Sequence, residues 1–435
     1  MDDTVFLRSM SLKNLLSYGP RGAEIELRPL NVLIGANGSG KSNFIEALGL
    51  LRALPHDFLE PVRRGGGIAE WLWKGDKASE VAEIAVQVNG FEFILGGRTP
   101  ATLNHSLSFT GVGQRTQIMD ETIENLEAKG RTNIPRYFYR YRQGQPRVLA
   151  QTAFPGGEQA SEQASEQASE QEIAISDFNP AQSILSQRTD PNVYPTLNHL
   201  AKQYDCIRLY TEWNLGRFNA PRQPQNADLP QDFLAEDMSN LALVLNDLLN
   251  RPDTKRVILD RLRQFYDRTE DITTKVFGGT VQVYLQEAGL RSNVPASRLS
   301  DGTLRYLCLL AVLCHPEPPP LICIEEPELG IHPDMLSTIA ELLVDASTRT
   351  QVVVTTHSDL LITALEDVPE AVIVCERDDA GSRLRRLENG PLQKWLKNYS
   401  LGELWRSGEI GGVRGRSGAS AIERDTHLYR GKVKP

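Results

Sequence analysis

The run Gly35-Ala36-Asn37-Gly38-Ser39-Gly40-Lys41-Ser42 constrains this chain more than any other stretch. Two glycines with four residues between them, followed by Lys and Ser, make a phosphate-binding loop when a strand precedes and a helix follows. Both are expected here. Asn31 to Ile34 reads as a short buried strand, and Asn43 to Leu51 as the start of a helix. That order lets backbone N–H groups wrap an anionic phosphate chain, with the positive end of the helix dipole towards it. Glycines are needed because a Cβ would block the approach of backbone to phosphate. The expected nucleotide-binding set is Gly35, Asn37, Gly38, Ser39, Gly40, Lys41, Ser42 and Asn43. Lys41 would neutralise the β- and γ-phosphates, and Ser42 would offer its hydroxyl to Mg²⁺.

A chain of 435 residues can form two or three compact units with a large core. Its net charge of −9 argues against a uniformly basic nucleic-acid coat but leaves room for a local basic groove. The five cysteines (Cys206, Cys308, Cys314, Cys323, Cys375) form no C-x-x-C pair, and several sit in apolar runs. They read as small buried thiols in a reducing compartment. The N-terminus lacks the basic-then-apolar pattern of a signal peptide, and no apolar run approaches membrane-spanning length. A cytoplasmic protein without a membrane partner is expected.

Residues 1–150 read as one segment, with paired strands before the loop and a β subdomain after it. Val81 to Val88 and Phe91 to Leu95, joined by Asn89-Gly90, read as a hairpin, with a further strand around Leu103 to Phe109. Residues 151–178 hold a low-complexity acidic insertion in which Ser-Glu-Gln recurs three times, expected to be solvated and without a core. Residues 179–295 read as a mainly helical lobe, including a helix from Asp237 to Leu249 with Asp237 as its N-cap. Over 296–412 helix and strand alternate, which implies parallel strands between helices. Residues 413–435 form a polar tail. The fold class is α/β: a mixed sheet with an antiparallel β subdomain and an inserted lobe.

Three further constellations bear chemistry. Leu321 to Ile324 is an apolar strand running into Glu325-Glu326-Pro327-Glu328. A strand in the same sheet as the phosphate loop can place Glu325 in the Mg²⁺ shell, through water, and Glu326 where it orients or deprotonates the attacking water. Acids that merely solvate a strand end are the alternative. Thr355-Thr356-His357-Ser358 follows the next apolar strand, so His357 would reach the γ-phosphate or that water. A capped turn is the alternative there. Leu299-Ser300-Asp301-Gly302-Thr303 opens a long apolar helix and could be a second anion site or a plain N-cap.

Phosphate loop, L-S-D-G-T, I-E-E-P-E and T-T-H-S occur in the chain order of an ABC-type ATPase head, and L-S-D-G-T resembles the signature of that family. The chain resembles the RecF/SMC-like, OLD-related group of stand-alone bacterial AAA/ABC-type ATPases. The likeness covers most of residues 5–412, including GANGSGKSNFIEAL, QSILSQR, RLSDGTLRYLCLLAVL, ICIEEPELGIHP and YSLGELWRSGEIGG. It implies a composite site in which Ser300, Asp301 and Gly302 of one protomer act in trans on ATP held at Lys41 of another, so that ATP joins a homodimer and hydrolysis by Glu326, His357 and Lys41 releases it. Asp301 replaces a signature glycine and adds charge near the partner's phosphates. Glu325 stands where many relatives have Asp, and His332 where transport ATPases have Asp.

Three functions follow. The first is an ATP-driven dimerisation switch in DNA maintenance or anti-phage defence, with a separately encoded nuclease or other effector. DNA is a candidate ligand through Arg131, Arg136, Arg140, Arg142 and Arg147, interleaved with Tyr137, Phe138, Tyr139 and Tyr141; a solvated face with aromatics in the core is the alternative. The second is a transporter energy subunit, disfavoured by the lobe between loop and catalytic strand. The third is a nucleotide-gated binding module with little turnover.

Overall fold

The computed structural model describes residues 4–75, 80–94, 97–113, 115–126, 136–142, 144–151, 168–172 and 177–411. In chain order these form β1 (Leu7–Lys13), β2 (Ala23–Glu26), β3 (Leu30–Ile34), α1 (Lys41–Ala53), α2 (Leu59–Arg64) and α3 (Ile68–Trp71). The strands β4 (Val81–Ile94), β5 (Gly97–Val112), β6 (Arg115–Asn125), β7 (Arg136–Arg142), β8 (Gln145–Gln151) and β9 (Ala168–Glu172) come next. Then come α4 (Ile184–Gln187), α5 (Pro195–Asp205), β10 (Arg208–Tyr210), β11 (Gln225–Asn226), α6 (Leu241–Leu249), α7 (Pro252–Phe265), β12 (Thr269–Phe277), β13 (Thr280–Glu287) and β14 (Val294–Pro295). The last stretch holds α8 (Asp301–Leu313), β15 (Leu321–Glu325), α9 (Leu336–Ala346), β16 (Gln351–Thr356), α10 (Asp359–Thr363), β17 (Val372–Asp378), β18 (Gly381–Arg386), α11 (Asn389–Leu392) and α12 (Leu401–Arg406).

The chain divides into two compact units. The first comprises Met1–Arg28, Ala36–Ile207 and Cys375–Arg385, the second Pro29–Gly35, Arg208–Val374 and Arg386–Pro435.

The first unit is built on an eight-stranded sheet in the order β2-β1-β4-β5-β6-β7-β8-β9, antiparallel throughout. Its strands alternate buried and solvent-facing residues, as a one-sided sheet requires. The sequence places a turn at Asn89-Gly90, and the structure does not. β4 runs straight through, with Asn89 opposite Thr102 and Gly90 opposite Ala101. Asn89 is held sideways: its backbone N–H donates to Phe6 O (2.8 Å) and its side chain to Val5 O (2.7 Å). The buried face continues to Glu92, which accepts from Asn125 Nδ2 (2.9 Å). Phe91 and Phe93 beyond it meet His199 of α5.

One further expectation changes in this unit, and one open alternative is decided. The final copy of the Ser-Glu-Gln repeat pairs as β9 along β8, so that part of the insertion is an edge strand; the rest of 155–171 lies outside the described residues. Backbone groups at a sheet edge pair with any extended chain, whatever its composition. In β7, Phe138, Tyr139 and Tyr141 are buried, and Tyr137 lies under the Arg140 guanidinium (5.3 Å). The aromatics therefore belong largely to the core. Arg131 lies outside the described residues.

The second unit holds five parallel strands in the order β10-β15-β16-β3-β17. β3 and β16 are buried at every position, and β15 at all but its last. That is why LNVLI, LICIE and QVVVTT read as apolar runs rather than alternations. α8 is buried at every residue from Leu304 to Leu313, and a helix hydrophobic on all sides sits inside a core rather than on it. The hairpin of β12 and β13 and the helices α6 and α7 complete this core. α6 begins at Leu241 with Asn240 as N-cap, not at Asp237. Met238 has φ 60°, which stops a helix starting earlier, and Asp237 is spent on a local turn to Ser239 N (3.0 Å).

Cys308, Cys314, Cys323 and Cys375 are buried free thiols, and burial pushes Cys308 and Cys375 up to about 12. Thiols in that state are chemically inert. Among the described residues no helix is long and apolar enough to cross a membrane.

Candidate nucleotide site

The phosphate loop leaves β3 at Ile34 and ends where α1 starts at Lys41. Gly38 (φ 75°) and Gly40 (φ 108°) take the left-handed backbone that reverses the chain, and Ser39 N–H closes the turn on Ala36 O (3.1 Å). Space around them differs. A Cβ at Gly38 would meet nothing within 4 Å, whereas at Gly40 it would come 2.5 Å from Ser382 Oγ and 2.7 Å from Ser17 Oγ. Those hydroxyls bond each other at 2.8 Å, and buried Tyr18 donates to Gly40 O (2.9 Å). Burial holds the Tyr18 phenol well above its usual pKa, so it stays a donor. The loop is clamped from behind and open at its tip.

No side chain caps α1, and the N-terminus of a helix is the end that favours an anion. Lys41 is buried and donates to Ala36 O (3.2 Å). Ser39 Oγ is enclosed without a hydrogen-bond partner. An enclosed hydroxyl, uncapped helix amides and a Cβ-free turn are the donor set that a phosphate chain satisfies.

In the second unit, register aligns the strand ends. Thr356 pairs with Ile34, Thr355 with Leu33, and Glu325 with Thr355. The acids after β15, the His357 loop after β16 and the exit of β3 thus share the carboxyl edge of one sheet, where α/β proteins bind ligands. Glu326 is a left-handed non-glycine residue (φ 45°), with its N–H on Thr355 O (3.0 Å). A backbone of this kind costs about 1–3 kcal/mol and persists only when neighbours hold it. Arg305 Nη1 donates to Glu326 O (3.2 Å), and Trp213 Nε1 to Glu325 O (2.9 Å). The Arg305 guanidinium lies 4.9 Å over the Trp213 ring, and burial draws its pKa down. Held this way, Glu326 Oε1 stands 3.6 Å from His357 Nε2, each side chain about one-third exposed.

Ser300 caps α8, accepting from Thr303 N–H (3.0 Å). Asp301 pairs with buried Arg222. A Cβ on Gly302 would come 2.6 Å from Gly330 O, so the turn that opens α8 lies against the loop that follows Glu326. His332 caps the short turn before α9, accepting from Asp334 N–H (3.3 Å). Among the described residues no three His, Cys, Asp or Glu side chains gather to hold a metal.

Sequence reasoning gave no role to Tyr18, Trp213, Arg222 or Arg305. Only Arg305 has a motif, standing two residues after L-S-D-G-T. Glu328 was inside the acidic motif without a role.

The architecture is that of an ABC-type ATPase head. It resembles the SMC head bound to the C-winged helix domain of ScpA at TM-score 0.53 and 15% identity, covering 88% of this chain and 98% of that one. It likewise resembles the SMC head domain with an extended coiled coil, bound to the C-terminal domain of ScpA, from Pyrococcus furiosus: TM-score 0.52, 14% identity, 90% of this chain and 98% of that one. The chain belongs to the AAA family described as "AAA domain, putative AbiEii toxin, Type IV TA system", whose model matches residues 30–363. No curated protein matches it by sequence.

Proposed function

We propose that the chain is a Mg²⁺-dependent ATPase that works as an ATP-driven dimerisation switch. The observation behind this is Glu326, held in a left-handed backbone beside His357 at the sheet edge from which the phosphate loop departs. In this reading the loop amides from Gly35 to Asn43 and the Lys41 ammonium bind the phosphates. Ser42 and Glu325 are the residues that would hold Mg²⁺, which would supply charge neutralisation on the phosphate oxygens. Glu326 orients and deprotonates the attacking water, and His357 donates to the γ-phosphate or that water. Ser300 and Gly302 of a second copy close the site in trans.

The family description, an AbiEii-type toxin of a type IV toxin–antitoxin system, favours a defence role over DNA maintenance. The SMC heads it resembles were solved bound to a ScpA domain, which supports a separately encoded protein partner for this head. DNA remains the second candidate ligand.

The test compares ATP turnover and ATP-induced dimerisation of wild type and Glu326→Gln, with and without DNA. Loss of turnover by about 10²-fold or more, with ATP-dependent dimers persisting in the variant, is expected. Wild type that binds ATP but neither hydrolyses it nor dimerises would leave the nucleotide-gated binding module as the better reading.

A further inference from the structure

Three carboxylates lie within the four residues from Glu325 to Glu328 at the end of β15, and they do different things. Glu325 ends the strand, Glu326 faces His357, and Glu328 turns inward. Glu328 Oε1 accepts from Thr356 Oγ1 (2.5 Å) and from the backbone N–H of His357 (3.1 Å). Thr356 Oγ1 in turn accepts from Ser358 N–H (3.0 Å), and Ser358 Oγ caps α10 at Leu361 N–H (3.2 Å). One carboxylate oxygen thereby fixes Thr356, His357 and Ser358, the whole turn that aims the imidazole.

We propose that Glu328 is a positioning residue for the hydrolytic pair, tying the His357 turn to the loop that carries Glu326. The proposal rests on the reading of Glu326 and His357 as that pair. Pro327 stands between the two glutamates and fixes its own φ, so the backbone that turns Glu326 outwards also sets where Glu328 enters. Glu328 cannot itself activate water, because Oε2 is enclosed without a hydrogen-bond partner and Oε1 is already used twice. Burial pushes its carboxyl pKa up, more than the Thr356 and His357 bonds pull it down. Both donors to Oε1 are neutral, so what the turn uses is an acceptor in a fixed place.

That acceptor sets the test. Glu328→Gln keeps an acceptor oxygen at the same reach, and Glu328→Ala removes it. Glu328→Ala should lower kcat about 10- to 100-fold, as a misplaced catalytic group does, with KM for ATP nearly unchanged. Glu328→Gln should stay within a few-fold of wild type. In a His357→Ala background, Glu328→Ala should add little, because coupled residues are non-additive. Hydrogen exchange of the segment 354–361, without nucleotide, reads the same contact independently of turnover: faster in Glu328→Ala, close to wild type in Glu328→Gln. Equal exchange in all three proteins overturns the proposal, as does a folded Glu328→Gln that loses as much turnover as Glu328→Ala. A wild type with no turnover would refute the hydrolase reading, while exchange would still decide the role of Glu328.

Discussion

Arg222 and Asp301 form an ion pair whose cation is buried and whose carboxylate faces solvent, with side chains 8% and 73% exposed. Arg222 also donates to Leu215 O (2.7 Å) and Leu299 O (2.5 Å). A guanidinium from the middle of the chain thus braces the turn before α8 and offsets the negative charge that Asp301 brings to the signature. Replacing Arg222 by Met should lower stability by about 1–3 kcal/mol, because two carbonyls lose a buried donor, read as a lower melting midpoint. Asp301→Asn should cost under about 1 kcal/mol, as exposed charges do. If the signature closes on a partner's phosphates, Arg222→Met should also weaken ATP-dependent dimers, and adding Asp301→Asn should restore them. Light scattering with ATP decides it.

The two left-handed glycines of the phosphate loop should respond differently. Gly38→Ala has open space and pays only the backbone strain, about 1–2 kcal/mol. Gly40→Ala adds a collision with Ser17 and Ser382 and should unfold at distinctly lower denaturant. Chemical denaturation of both variants ranks them; a Gly40→Ala protein as stable as Gly38→Ala would show that the clamp behind the loop yields.

Lys41→Ala should abolish stabilisation by nucleotide. A ligand at 100 times its Kd stabilises a fold by about 2.7 kcal/mol, so wild type should show a clear ATP-dependent thermal shift and the variant nearly none. The comparison needs no turnover.

His315 supplies a pH dependence. It is buried against Phe233, and Nδ1 accepts from Glu317 N–H (3.1 Å). Burial holds its pKa below the ordinary 6.5. Between that depressed value and 6.5 the unfolded chain binds more protons than the folded one, so stability rises with pH through this window and levels off above it. His315→Asn, which keeps an acceptor for Glu317 N–H and cannot titrate, should flatten the acid side of the curve. Melting midpoints from pH 4.5 to 7.5 would reveal an unchanged slope if His315 plays no part.

The sequence by itself determined the phosphate loop, the order of the parallel strands' motifs and the residues at their ends. Those features are local: a glycine spacing, an apolar run buried on both faces, an acid or histidine one residue beyond. It misread Asn89-Gly90 as a turn and Asp237 as a cap, since both depend on what neighbouring segments do with spare backbone groups. Only the tertiary structure decided that Asn89 bonds sideways to Val5 and Phe6, and that Glu326 is left-handed. It also decided that Arg222, Trp213, Arg305 and Glu328 hold the site from behind. Such partners meet across tens to more than a hundred residues of chain, as Trp213 meets Glu325, and no short-range pattern records a contact formed only when distant segments close on one core.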